Sequence, residues 1–183
     1  MARIAIPDSV DAAPIAARPL LNAVKSQLGL VPNMFRLIAT SPESLQGYLG
    51  LNGALAKGKL DAATRERIAL AVANVNGCAY CNSAHGYLAA HLAKLDAAEI
   101  AANRDGRSND PKADAAVRFA SKVTTERGAV AEADLQAVRS AGYSDAEIIE
   151  IVVHVALNGL TNYVNNVFAT DVDFPMVEAR RAA

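Results

Sequence analysis

The sequence predicts an all-α fold, on three observations. The 52% apolar content is carried mainly by Ala, Leu, Val and Ile, with 5% aromatics and no Trp, a composition that packs helices closely rather than filling a sheet with aromatic bulk. Capping residues and glycine or proline stops recur at helix-length intervals along the chain. No segment makes a convincing strand, and the one β-branched run sits inside a longer capped helix pattern.

Taken in order, residues 1–13 contain Pro7, Asp8 and Asp11 with little periodicity and read as an extended arm. A first helix is predicted over 15–28, ended by Gly29 and Pro32. Asn33 is placed to cap a short helix through residue 38. Ser41 and Pro42 supply a cap and a first-turn proline for a helix to about residue 57, which Gly58 stops. Asp61 or Thr64 caps a strongly apolar helix, filled by Ile68, Leu70, Ala71, Val72 and Val75 and broken at Asn76-Gly77. A helix over about 79–93 follows, then a shorter one from Asp96 to about Asn103. Residues 104–111, from Arg104 to Pro111, form the clearest loop. Helices over 112–126, 132–141 and 144–168 complete the chain, the last opened by a capping-box pair, Ser144 and Glu147. Its run Ile148-Ile149-Glu150-Ile151-Val152-Val153 is strand-like in residue type, but about 25 residues is far beyond the usual strand of ~3–10.

A length of 183 residues suits one domain with a substantial core. The expected division is an arm over 1–14, a helical domain over 15–175 and a tail over 176–183. The formal charge of −1, from 18 basic and 19 acidic residues mixed along the chain, leaves no electrostatic footprint for nucleic acid or an anionic membrane, so neither partner is expected. No uncharged apolar run reaches membrane-spanning length, and the first residues lack the apolar centre of a secretory signal, so a cytoplasmic protein is expected.

Both cysteines of the chain fall in one cluster, Cys78-Ala79-Tyr80-Cys81, with His85 four residues further on. If this segment is helical, Cys78, Cys81 and His85 share one face. A thiol reacts as its thiolate, and a helix start and a neighbouring imidazole both favour that charge. In a reducing compartment a lone pair with this spacing is more often redox-active, catalytic or metal-binding than a structural staple. The chemistry it supports has two steps: one sulfur attacks an oxidant, and the other closes a disulfide on it. Glu66, an acidic residue near a helix start, reads on its own as a solvated side chain favoured by the helix dipole, and geometry offers it a second use. If Asn76-Gly77 reverses the chain, the flanking helices run back alongside each other and bring Glu66 to within about one turn of His85.

The spacing of Glu66, Cys78, Tyr80, Cys81 and His85 resembles the AhpD-like alkylhydroperoxidase group within the carboxymuconolactone decarboxylase family. The segment Leu28-Gly29-Leu30-Val31-Pro32-Asn33-Met34-Phe35-Arg36 followed by Ser41-Pro42 looks like the N-terminal signature of its uncharacterised peroxidase-related branch. The stretch from Asn158 through Asp173-Phe174-Pro175 looks like that branch's asparagine-rich last helix and exit. The resemblance implies an AhpD-like helical bundle, self-association as a trimer or hexamer, and reduction of hydroperoxides with electrons from an unknown dithiol donor and no cofactor. It also implies roles: Cys81 as attacking thiolate, Cys78 as proton donor and resolving thiol, His85 as proton relay and Glu66 as the carboxylate orienting it. One departure is that Tyr80 stands where the best-studied branch has a second histidine. A phenol of pKa ~10 cannot shuttle protons near neutrality as imidazole does.

Two alternatives stay open, and the motif argues against a third. A non-enzymatic redox sensor would share the first oxidation step. A zinc site could use Cys78, Cys81 and His85 but has no evident fourth ligand. Lactone decarboxylation, the family's other chemistry, does not use paired cysteines. Outside the cluster, His91 reads as a polar-edge residue and His154 as a hydrogen-bonded core residue. Asn158, Asn162, Asn165 and Asn166 recur at helical spacing, suited either to satisfying buried carbonyls or to lining an interface.

Overall fold

Capping chemistry sets most of the helix boundaries. The structure is a computed structural model that describes residues 2–177; among these are nine α-helices, one 3₁₀ turn and no strand. The helices are α1 (Arg18–Leu28), α2 (Asn33–Ile38), α3 (Pro42–Leu55), α4 (Ala62–Val75), α5 (Ala79–His91), α6 (Ala97–Arg104), α7 (Pro111–Thr125), α8 (Glu132–Ser140) and α9 (Asp145–Phe168). Side chains of Ser41, Asp61, Asp96, Asp110 and Ser144 accept backbone N–H bonds at the starts of α3, α4, α6, α7 and α9. Each such cap contributes about 1 kcal/mol. Asp61, rather than Thr64, therefore opens α4.

Two expectations at the N-terminal end are corrected. Residues Ile15–Ala17 form a 3₁₀ turn and not the first turn of α1. The reason is Pro19: it has no N–H to give to the Ile15 carbonyl, which accepts from Arg18 instead. Asn33 is the first residue of α2 and caps nothing; its amide reaches the Asp171 carbonyl at 2.8 Å, and its backbone N–H donates to Asp173 Oδ2 at 2.8 Å. A carboxylate about 140 residues away in sequence thus closes that helix start. The expected ends of α3 and α5 also draw in, to Leu55 and His91.

The apolar helix α4 is buried on nearly all sides, with Ile68, Ala69, Leu70, Ala71, Val72 and Ala73 inaccessible. It packs against α5, α6, α7 and α9. Two apolar clusters meet on it. One joins Ile68 and Val72 to Phe119, Val123, Val138, Ile151 and Val155. The other joins Ala73 to Leu21, Met34, Ile38 and Leu45, and takes in Cys78, Tyr80 and Cys81. At about 1.5–3 kcal/mol for each large aliphatic side chain removed from water, these clusters dominate the stability of the bundle.

Three tethers fix what surrounds them. The N-terminal arm is pinned where Arg3 N–H donates to the Phe168 carbonyl at 2.7 Å and the Arg36 guanidinium donates to the Asp8 carbonyl at 2.7 Å. The loop after α6 is tied to Glu99, whose carboxylate accepts from Arg67 at 2.7 Å, Asn103 at 2.9 Å, Ser108 at 2.5 Å and Asn109 N–H at 2.7 Å. Burial works to raise this carboxyl, but the donors outweigh it and hold it down to about 2. After α9 the chain turns at Ala169, φ +49°, and returns across α5, where Val177 N–H donates to Ser83 Oγ at 2.8 Å. Of the expected C-terminal tail, residues 178–183 lie outside the described residues.

Candidate active site

The dithiol sits at a reversal built from backbone chemistry. At the end of α4, Gly77 N–H donates to the Asn74 carbonyl and Cys78 N–H to the Ala73 carbonyl at 2.9 Å, the paired closure of a Schellman motif. Gly77 has φ +63°, the left-handed region that a side chain disfavours by about 1 kcal/mol. Ending α4 this way delivers Cys78 directly to the N-cap of α5, where its Sγ accepts the Cys81 N–H at 3.1 Å. Cys78 and Cys81 are joined in a disulfide with Cα atoms 5.3 Å apart, and both are buried.

The reversal also sets α4 beside α5, and Glu66 Oε2 lies 2.9 Å from His85 Nδ1. The two side chains are 21% and 22% exposed, so this pair is the part of the cluster that water reaches. His85 is one helical turn beyond Cys81 on the same face. The Glu66 carboxylate is felt further inside as well: Tyr48 is pushed up to about 12 by burial and then by Glu66. The ring nitrogen left to His85, Nε2, is free of Glu66, and bonding at Nδ1 is the usual way an imidazole is held in one tautomer.

Tyr80 faces away from this chemistry. Its hydroxyl donates to Asp173 Oδ1 at 2.8 Å and accepts from Met34 N–H at 3.2 Å, while Phe174 packs edge-on against its ring at 5.9 Å. Burial and the Asp173 carboxylate push it above the ordinary tyrosine range. In this chain the position therefore latches the returning C-terminal segment and α2 onto α5.

The asparagines of α9 resolve into distinct uses. Asn158 donates to the His154 carbonyl at 2.8 Å. Asn162 Oδ1 accepts from Asn76 at 2.9 Å, and Asn166 donates to the Asn76 carbonyl at 2.9 Å, so both grip the turn that precedes Cys78. Asn165 Nδ2 donates to Cys81 Sγ at 3.3 Å. Their spacing was visible in the sequence; which of them would touch sulfur required knowing that α9 crosses the start of α5.

The other histidines lie elsewhere. His91 is exposed and stacks on Tyr87 with ring centres 4.1 Å apart. His154 is buried, but the hydrogen bond expected of it is missing at Nε2, which has no partner. Burial, with the Arg65 cation nearby, pulls it down to about 4, so it stays neutral and its unpaired nitrogen costs less than a buried charge would. Among the described residues, no three His, Cys, Asp or Glu side chains gather as a metal ion requires. None of the described helices is long and apolar enough to cross a membrane.

Residues 42–122, which contain Glu66, Cys78, Cys81 and His85, match the carboxymuconolactone decarboxylase family. Among solved structures the chain is similar to the alkylhydroperoxidase AhpD core of an uncharacterized peroxidase-related protein from Ralstonia eutropha JMP134, with 28% identity, 94% of this chain and 92% of that chain covered, and a TM-score of 0.84. It is similar also to an uncharacterized peroxidase-related protein from Silicibacter sp. TM1040, at 26% identity, 93% and 91% coverage and a TM-score of 0.80. The debrominase Bmp8 shares the fold at 21% identity, 91% and 90% coverage and a TM-score of 0.77. No curated protein matches. The motif, the all-helical bundle built around it and these likenesses converge: residues 42–122 match the carboxymuconolactone decarboxylase family, and the chain as a whole is similar to its AhpD-like peroxidase-related structures.

Proposed function

We propose that the protein is a thiol-dependent peroxidase that reduces hydroperoxides through a Cys78–Cys81 dithiol/disulfide cycle with a Glu66–His85 proton relay. The observation that carries this reading is the juxtaposition of a cysteine pair able to close a disulfide with a carboxylate-bound histidine one turn away. In the reduced form, the Cys81 thiolate attacks the terminal oxygen of the hydroperoxide. The O–O bond breaks, Cys81 becomes a sulfenic acid, and the departing alkoxide takes a proton from the His85 imidazolium to leave as the alcohol. Cys78 then attacks the Cys81 sulfur, water leaves, and the disulfide forms. Two electrons from an external dithiol, in a reducing cytoplasm, restore the pair. Glu66 orients His85 while it carries the proton.

The test is a steady-state assay of hydroperoxide loss with a dithiol reductant, with protein alkylated beforehand as the blank. Reductant-dependent turnover, one alcohol for each dithiol oxidised, is the expected result. A single oxidation that never cycles would favour a redox sensor instead.

Self-association belongs to the same reading. Along α9, Ile149, Val152, Ala156, Leu160, Tyr163 and Val167 are exposed at successive turns, a continuous apolar stripe that a second copy would cover. Light scattering should give a multiple of the 19.1 kDa chain mass at micromolar concentration, and a monomer mass would overturn the assembly. Replacing Leu160 and Tyr163 with Lys should shift the population toward monomer.

A further inference from the structure

Three neighbouring asparagines of α9 converge on the dithiol turn, and two have a structural explanation. Asn162 and Asn166 bond Asn76 and so fix the reversal. Asn165 bonds no backbone group with its side chain. It is 3% exposed, its Nδ2 donates to Cys81 Sγ at 3.3 Å, and its Oδ1 is buried with no partner. A buried amide oxygen without a donor is costly, and a polar side chain that spends its N–H on sulfur and leaves its oxygen empty is poorly explained by packing.

We propose that Asn165 is a catalytic residue: its N–H stabilises the Cys81 thiolate, and its free Oδ1 accepts the hydroxyl proton of the Cys81 sulfenic acid. The two ends of one carboxamide match the two states of the sulfur. Before attack, the reacting atom is an anion and needs a donor. After attack it carries oxygen and a new O–H, one donor more than before, beside the one empty acceptor. Holding that hydroxyl leaves the sulfenic sulfur open to Cys78, which attacks it and expels the oxygen as water. The inference rests on the peroxidase reading for its second half; the first half concerns the thiol alone.

The test separates the two. In a Cys78→Ser background, thiolate absorbance at 240 nm against pH gives the Cys81 ionisation midpoint, with the double serine variant as blank and with His85 and Glu66 unchanged. Asn165→Leu, which removes both ends of the amide at similar volume, should weaken Cys81 ionisation roughly 10–100-fold, raising the midpoint by about one to two pH units. Asn165→Asp places a carboxylate against the sulfur and should raise it at least as far; it also serves if the leucine variant misfolds. A midpoint unmoved in a folded variant overturns the proposal, as does an equal rise in Asn162→Leu, which would indicate general loosening. After one equivalent of hydroperoxide in the same background, the trapped sulfenic acid should be shorter-lived in Asn165→Leu. Equal persistence overturns the role of Oδ1. None of the midpoint measurements needs peroxide, so failure of the wild type to turn over would remove the peroxidase reading without touching them.

Discussion

Cys81→Ser is expected to abolish reductant-dependent hydroperoxide turnover, while Cys78→Ser retains a single oxidation and then stops. The asymmetry follows from position. Cys81 has His85 one turn beyond it and the Asn165 amide on its sulfur, whereas the Cys78 sulfur is the N-cap of α5 and accepts the Cys81 N–H. A serine at 81 leaves a hydroxyl that does not ionise under these conditions, and the remaining thiol, Cys78, has neither His85 one turn beyond it nor the Asn165 amide on its sulfur. A serine at 78 leaves the first step intact but removes the protein's only other thiol, so without added dithiol excess hydroperoxide should carry Cys81 on to sulfinic acid. Mass spectrometry of the protein after one and after ten equivalents of hydroperoxide reads this directly: one added oxygen, then two. Sulfenic acid trapped at Cys78 in the Cys81→Ser protein, with turnover persisting, would reverse the assignment.

Glu66→Gln should slow hydroperoxide reduction by roughly 10–1000-fold, the scale of disturbed acid–base assistance, and His85→Ala should do the same. In the proposed relay, the bond of 2.9 Å between them makes the two residues one device. Gln keeps the size of the side chain and one acceptor but deletes the negative charge beside the ring. If both residues act on a single proton, as proposed, the double variant should be little worse than either single one. The deficit should shrink as pH rises toward the intrinsic thiol pKa of ~8.5, where Cys81 ionises without help. Single-turnover rates across pH, measured on the four proteins of the cycle, decide the matter. Fully additive losses would mean that Glu66 and His85 act separately.

The legibility of this fold in its sequence has a simple physical basis. Helix starts and stops are local events: Ser41, Asp61, Asp96, Asp110 and Ser144 cap with their own side chains, and Gly29 and Gly77 adopt positive φ within the turn they terminate. The reversal at Asn76-Gly77 was equally local, and it is what brings Glu66 beside His85. The exceptions are where a bond partner comes from far along the chain. Asn33 looked like a cap because its residue type is one, yet the carboxylate that serves α2 belongs to Asp173. His154 looked like a bonded core histidine, and packing left its Nε2 without a partner.

The sequence by itself determined the helical class, most helix limits and the cluster of Cys78, Cys81 and His85, because each depends on residues within a few turns of one another. Only the tertiary structure decided that Asn165 meets the Cys81 sulfur, that Tyr80 is a latch on Asp173 and that Glu99 gathers the loop after α6. Asn165 and Cys81 are 84 residues apart, and Tyr80 and Asp173 are 93 apart. Contacts at that separation are set by which helices cross and at what level. That crossing is fixed by the packing of the whole core around α4, which no local pattern encodes.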